Sequence, residues 1–371
     1  MKIVCSKSDL IEAISVVSRV VKGNINPPIL TNILIDASGD TVVFRGYDME
    51  TGIECCVNDA QIEESGRVAV SAKMLGDIVR KMSDEDISFE SEKEGTSIVI
   101  RAGKTKMKLS CQSAEDFPVF PTVENPKTVT IKSDLLRTVL SKVQFAVSKD
   151  NTRAVLTGVY LRCSENVLTG VAIDGYRMGI RSASIEGTSE DFSIIIPSKS
   201  VTEILKAIGN ADDGETVVTL GVNQVYFDIE GIKIVSRIIS GQYIDYEKII
   251  TKSCKTQIVI NADEFSEAID RACLIANAES SSRVPTTFNL KDNSLTITCS
   301  SSSSSSQDII NDVDIKGEAV DIDVNGFYIA DLLKVIDDDQ ISVEFSGGQG
   351  PVIFKPVDNE SFLYLVLPIR R

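Results

Sequence analysis

The chain of 371 residues contains no histidine and no tryptophan. Without histidine, Ser-His-Asp and Cys-His nucleophile systems are excluded, and most zinc hydrolases and neutral general-base mechanisms are disfavoured. Cys5, Cys55, Cys56, Cys111, Cys163, Cys254, Cys273 and Cys299 are scattered, mostly inside strand-like runs, and no two form a C-x-x-C pair. A zinc site would need four thiolates converging from distant segments, so buried reduced thiols are expected and no metal or cofactor is. No apolar run is long enough to cross a bilayer. The opening stretch MKIVCSKSDLIEAISVV interrupts its apolar residues with Ser6, Lys7, Ser8, Asp9 and Glu12, so it carries no signal-peptide pattern. A cytoplasmic protein with no membrane partner is the expectation. The glycine-rich FSGGQGPVIF at 345–354 lacks the G-K-[ST] of a phosphate loop and reads as a hairpin turn.

What is present describes a globular protein: 43% hydrophobic and 25% charged residues, in a length that suits two or three domains. The net charge of −16 argues against nucleic acid on average, because phosphate contacts need local positive charge. The distribution of charge decides that question, not the mean.

The strongest internal signal is repetition. KIVCSKSDLIEAISVVSRVV at the start, VTIKSDLLRTVLSKVQFAVS from Val129 and QIVINADEFSEAIDRACLIA from Gln257 each read as a short strand, a Ser or Asn, an acid and an amphipathic helix. Leu10, Ile14, Val17 and Val21 share one helical face; so do Leu136, Val139, Val143 and Ala146, and Phe265, Ile269, Ala272 and Ala276. Three further copies start at Arg67, Ser193 and Val320. With N-caps expected at Ser8, Ser71, Ser133, Ser198, Asn261 and Asn325, the intervals are 63, 62, 65, 63 and 64 residues. Alternating strands with turn signals fill the gaps, and Asp48 matches Asp174 at an offset of 126. Each half-repeat is one strand, one helix and about three more strands. The chain is thus α+β, with three internally doubled domains over 1–124, 125–253 and 254–371.

VAIDGYRMGI at 171–180 places Asp174, Gly175, Tyr176 and Arg177 between two apolar runs, as an active-site corner or a hairpin turn would. Carboxylate chemistry around Asp174 and Asp245 stays open on residue types alone, as does a purely structural repeat protein. The run Ser300–Ser306 falls where Asp48 and Asp174 sit in the other domains, and reads as a solvated loop or strand extension.

SAEDFPVF at 113–120, AIDGYRM at 172–178, GQYIDYEKI at 241–249 and YLVLPIRR from Tyr364, in this order and with the triplication, resemble the bacterial sliding clamp family, the beta subunit of DNA polymerase III. The resemblance covers the whole chain. It implies a non-catalytic head-to-tail homodimer, a six-domain ring with sheets outside and helices around double-stranded DNA. Its partners would be the DNA polymerase III catalytic subunit, the clamp loader, and other polymerases and repair proteins carrying clamp-binding peptides. The resemblance makes Lys73, Arg80, Lys81, Arg137, Lys142, Lys149, Lys199 and Lys206 helix-borne cations facing DNA. The third repeat has few, Arg271 and Lys334, against Asp263, Glu264, Glu267 and Asp270. The family's peptide cleft would be walled by Arg153, Leu156, Ile173, Gly175, Tyr176, Arg177 and Met178. The linker would add Ile244, Lys248 and Ile249, and the C-terminal strand Leu365, Leu367, Pro368 and Ile369. On this reading Tyr176 and Met178 present apolar surface, while Arg153 and Arg177 grip peptide carbonyls or acids. Ile244 stands where members often have proline, and Tyr176 where histidine is common.

Overall fold

The computed structural model describes residues 1–23, 26–83, 86–92, 96–123, 126–186, 190–209, 213–250, 253–277, 284–357 and 359–370. Six half-units follow one another. The first is β1 (Lys2–Cys5), α1 (Lys7–Ser18), β2 (Asn32–Asp36), β3 (Val42–Tyr47) and β4 (Thr51–Val57), with an added edge strand β5 (Gln61–Glu64). The second is β6 (Arg67–Ser71), α2 (Ala72–Lys81), β7 (Ile87–Ser91), β8 (Ser97–Ala102) and β9 (Thr105–Gln112). The third is β10 (Lys127–Lys132), α3 (Ser133–Gln144), β11 (Gly158–Ser164), β12 (Val167–Ile173) and β13 (Arg177–Ser184). The fourth is β14 (Phe192–Pro197), α4 (Ser198–Ile208), β15 (Glu215–Leu220), β16 (Gln224–Ile229) and β17 (Ile232–Arg237). The fifth is β18 (Thr256–Asn261), α5 (Ala262–Asn277), β19 (Pro285–Lys291), β20 (Ser294–Ser300) and β21 (Ser305–Ile310), with a short β22 (Lys316–Gly317). The sixth is β23 (Val320–Asn325), α6 (Gly326–Leu333), β24 (Gln340–Phe345), β25 (Val352–Pro356) and β26 (Phe362–Val366).

Three of the expected caps need moving. Ser6, not Ser8, caps α1: its hydroxyl accepts from the Asp9 amide at 3.2 Å, leaving Ser8 as the second helical residue. Ser133 and Ser198 are the first residues of α3 and α4 and so stand one place inside them. Ser71, Asn261 and Asn325 do cap, accepting from the amides of Met74, Glu264 and Phe327. The shift has a simple cause, because five lead strands run directly into their helices and the sixth, β1, is separated from α1 by Ser6 alone, which leaves the cap one place earlier than the polar run suggests. The predicted apolar faces are buried, although α1 ends at Ser18 and Val21 lies beyond it.

Each lead strand pairs with the other half-unit of its pair. β1 lies beside β7 and β6 beside β2; β10 beside β15 and β14 beside β11; β18 beside β24 and β23 beside β19. Neither half of a pair can therefore complete its own sheet, which explains why the repeat is doubled. Strand burial alternates as a one-sided sheet requires, for example in β16 and β20. Helices pack closely on the inner faces. A Cβ at Gly170 would stand 2.8 Å from Val139 Cγ1, so only glycine admits α3 there. Each fully buried Leu, Ile, Val or Phe on these faces contributes about 1.5–3 kcal/mol.

Contacts divide the chain into two compact units, Met1–Asp134 with Thr202–Ile238, and Leu135–Val201 with Ile239–Arg371. The first holds a 13-stranded sheet and the second holds sheets of nine and four strands. Two junctions make the large sheets continuous. In the first unit β4 pairs with β17, Ile53 opposite Ile234; in the second β13 pairs with β26, Gly179 opposite Tyr364. Half-unit 1 thus meets half-unit 4, and half-unit 3 meets half-unit 6.

One turn appears three times. Asp48 Oδ1 accepts from the amides of Glu50 and Thr51, and Asp174 Oδ1 from those of Tyr176 and Arg177. Ser301 Oγ accepts from Ser303 and Ser304 in the same way. In each, the first residue's amide also donates to the carbonyl of the fourth, at 3.1, 3.2 and 2.8 Å. The serine run is therefore the third copy of this hairpin turn, followed by the start of β21.

Candidate partner-binding cleft and helix cations

The turn at Asp174 settles the form of IDGYR. Asp174 gives its carboxylate to the backbone, and Gly175, at φ 94°, supplies the left-handed residue. The Arg177 side chain is only 7% exposed, and three of its nitrogens are occupied. Nε donates to Asp174 Oδ2 at 2.9 Å, Nη1 to Asp331 Oδ2 at 2.8 Å and Nη2 to the Phe145 carbonyl at 2.8 Å. Its guanidinium also lies 4.4 Å from the centre of the Tyr328 ring. Burial opposes the charge, but Tyr364, Asp331 and Asp174 outweigh it and hold the Arg177 pKa above its ordinary range. Arg177 is thus a strut between β13 and α6. Its nitrogens are spent on acceptors within the protein.

Beside this strut lie two cavities. The larger, about 880 Å³, is lined by Arg153, Leu156, Gly175, Tyr176 and Arg177, with Lys149, Asp150, Phe327 and Asp331. The smaller, about 520 Å³, is lined by Leu367, Pro368, Ile369 and Arg370 with Gln349 and Pro351. Gly175, Tyr176, Asn325 and Tyr328 line both. Tyr176 is half-exposed between them. The C-terminal segment is held in place by the Leu367 amide on the Tyr176 carbonyl and the Ile369 amide on the Asp323 carbonyl, each at 2.8 Å.

Six expected wall residues line neither cavity. Ile173, Met178 and Leu365 are buried in the apolar cluster underneath, because strand alternation turns them inward. Met178 is 1% exposed, so it supports the floor and presents no surface. Ile244 packs against the same cluster, Lys248 pairs with Asp245 at 2.7 Å, and Ile249 is exposed beside them. Sequence reasoning missed the start of α6. Asn325 stood out only as a cap, while the half-buried aromatic pair Phe327–Tyr328 in the first helical turn was the available signal.

Asp174 and Asp245 do not form a carboxylate pair: one is spent on its turn and Arg177, the other on Lys248.

The helix cations differ among themselves. Lys73, Arg80, Lys81 and Lys206 are exposed; Arg137, Lys142 and Lys199 are half-buried. Arg80 pairs with Asp77 and Lys206 with Glu203. Lys142 donates to the Val335 carbonyl and pairs with Asp337 at 2.6 Å. Lys149 is not helix-borne, since α3 stops at Gln144; it lines the larger cavity instead. In the fifth half-unit Arg271 is taken by Asp308 and Glu267.

A repeat-built chain whose carboxylates are spent on neighbouring cations, with a supported turn beside two adjoining cavities, has the build of a docking protein and not of a catalyst. Family models for the DNA polymerase III beta subunit match its N-terminal domain at residues 1–121, its central domain at 130–245 and its C-terminal domain at 247–370. The beta sliding clamp of Bacillus subtilis is 30% identical over 383 aligned positions that cover all of both chains. The crystal structure of the B. subtilis sliding clamp has a TM-score of 0.95 at 30% identity, covering 100% of this chain and 99% of that one. A putative DNA polymerase III beta subunit from Eubacterium rectale also gives 0.95 at 30% identity, covering all of both chains. The chain belongs to the bacterial beta sliding clamp family. That family is a non-catalytic processivity factor, and the protein is not an enzyme.

Proposed function

We propose that two copies of this chain close into a ring around duplex DNA, helices inward, and act as the sliding clamp that keeps DNA polymerase III on its template. The domains of the ring are 1–124, 125–253 and 254–371. The observation that carries this reading is the stepping of the sheet junctions. Half-unit 1 joins 4 and half-unit 3 joins 6, so the same step takes half-unit 5 to half-unit 2 of a second copy. The two strands that remain are suited to each other. Among the described residues, β21 is an edge strand paired with β20 alone, and β9 meets β6 only at Cys111 and Gln112. Transferring the register of the other junctions puts Met107 opposite Ser306 and Thr105 opposite Asp308. Met107 is 43% exposed, whereas its counterparts Ile234 and Tyr364 are fully buried at the intrachain junctions.

The two cavities at Tyr176 form the cleft for linear peptides of the polymerase, the clamp loader and other polymerases and repair proteins. Arg153, Leu156, Gly175, Tyr176, Leu367, Pro368 and Ile369 supply its walls, and Ile173, Met178 and Leu365 its floor. The protein works in the cytoplasm, where the chromosome is. No described helix is long and apolar enough to cross a membrane.

Analytical ultracentrifugation of the parent and of Met107→Glu tests the closure. The parent sediments as a dimer at micromolar concentration, and the variant, which sets a carboxylate into the strand seam, as a monomer. A parent that sediments as a monomer contradicts the ring.

A further inference from the structure

Three helices carry an ion pair that ring closure does not use, although Asp331 of one of them also lines the larger cavity. Counted from the helix start, the sixth residue of α2, α4 and α6 is an acid and the ninth position is a base. The pairs are Asp77–Arg80 at 2.8 Å, Glu203–Lys206 at 3.0 Å and Asp331–Lys334 at 3.1 Å. Aspartate and glutamate exchange, as do arginine and lysine, yet the pair persists at one point of the repeat. α5 has a looser version in Glu267–Arg271 at 3.5 Å. On α3, Lys142 receives its carboxylate from outside the helix, from Asp337 at 2.6 Å. Glu203 is buried, but a pair as exposed as Asp77–Arg80 adds little to stability. Their recurrence needs another cause.

We infer that these acids set how strongly the lining of the ring holds DNA. A cation that meets a phosphate displaces condensed counterions, and this release drives the affinity and its salt dependence. A cation already tied to a carboxylate brings almost no net charge to the phosphate. It displaces fewer counterions while its N–H groups still offer hydrogen bonds. The lining is then polar and weakly attractive, and DNA moves past it without a fixed set of strong contacts. Asp77 and Asp337 are the clearest of these residues, with side chains 50% and 85% exposed and no part in the cleft. The inference rests on the reading that these helices face DNA.

The test uses the full-length dimer with Asp77→Asn and Asp337→Asn, singly and together, with dimer mass and circular dichroism checked first. Binding to a fluorescent 30-base-pair duplex is titrated between about 50 and 200 mM salt. Each substitution releases two cations per ring, so the slope of log K against log salt steepens by up to about 2. That corresponds to a roughly ten-fold larger loss of affinity across the range. Adding Arg80→Gln to Asp77→Asn removes the released cation and returns the slope to the parent's. Unchanged slopes in the acid variants, with a parent ring still retained on circular DNA, overturn this inference and leave the ring standing. A parent not retained on circular DNA overturns both.

Discussion

Replacing Arg177 with alanine removes a guanidinium that is buried and bonded to three acceptors on three separate segments of the chain. Two carboxylates lose their partner unequally. Asp174 is 13% exposed and keeps its two backbone amides, whereas Asp331 is 35% exposed and keeps Lys334. Removing one member of a buried pair costs about 3–5 kcal/mol, and the partial exposure of Asp331 places this case near the lower end. Loss of the cation–π contact with Tyr328 adds roughly 0.5–2 kcal/mol. The expected total is about 3–4 kcal/mol. Arg177→Lys keeps a charge but cannot reach three acceptors with one ammonium, so it loses roughly half as much. Guanidinium unfolding followed by circular dichroism measures both. A loss below about 1 kcal/mol for Arg177→Ala, the size expected of an exposed pair, refutes the strut.

Tyr176→Ala weakens a fluorescent polymerase-tail peptide by about ten-fold, because a half-exposed aromatic shared by both cavities is the anchor a peptide can reach. An unaltered affinity in anisotropy titrations removes the tyrosine from the cleft. Burial pushes the Cys5 thiol up to about 12 and the Cys55, Cys111 and Cys273 thiols up to about 11, against 9.0 unperturbed. The folded state therefore favours the protonated thiol. Its contribution is complete below the unfolded pKa and falls as pH rises from about 9 towards 11–12. Unfolding midpoints measured from pH 8 to 10.5 decline less steeply in Cys5→Ala than in the parent; identical slopes contradict the assignment. At pH 8 the exposed Cys254 reacts with a disulfide reagent well before the buried Cys5 and Cys163.

The half-unit was legible in the sequence because two periodicities alternate along it, 3.6 in the helices and 2 in the strands. Equal spacing of the helix starts then revealed six copies. Three of the six caps were misplaced by one or two residues because several polar residues cluster at those strand ends and only geometry selects which oxygen meets the amides. Strand exchange within each pair was not legible, since pairing partners are set by three-dimensional closure and leave no local pattern. At the cleft, the turn residues could be found from Gly175 and Asp174. The roles of the side chains could not, because burial decides them. Arg177 and Met178 look like presented groups in a string of letters, and the fold turns one into a strut and the other into floor. The repeat placed the serine run level with Asp48 and Asp174, but low complexity hides which serine plays the aspartate's part, and the hydrogen bonds to Ser301 disclose it.

The central claim is topological, and retention on DNA tests it most directly. The labelled protein, loaded onto nicked circular plasmid by a clamp loader of the family, is passed through a sizing column in high salt. It co-elutes with the intact circle and is lost when a single restriction cut linearises the plasmid, because a ring that holds DNA without gripping it leaves through a free end. Equal retention on circle and line, or none on either, contradicts the account.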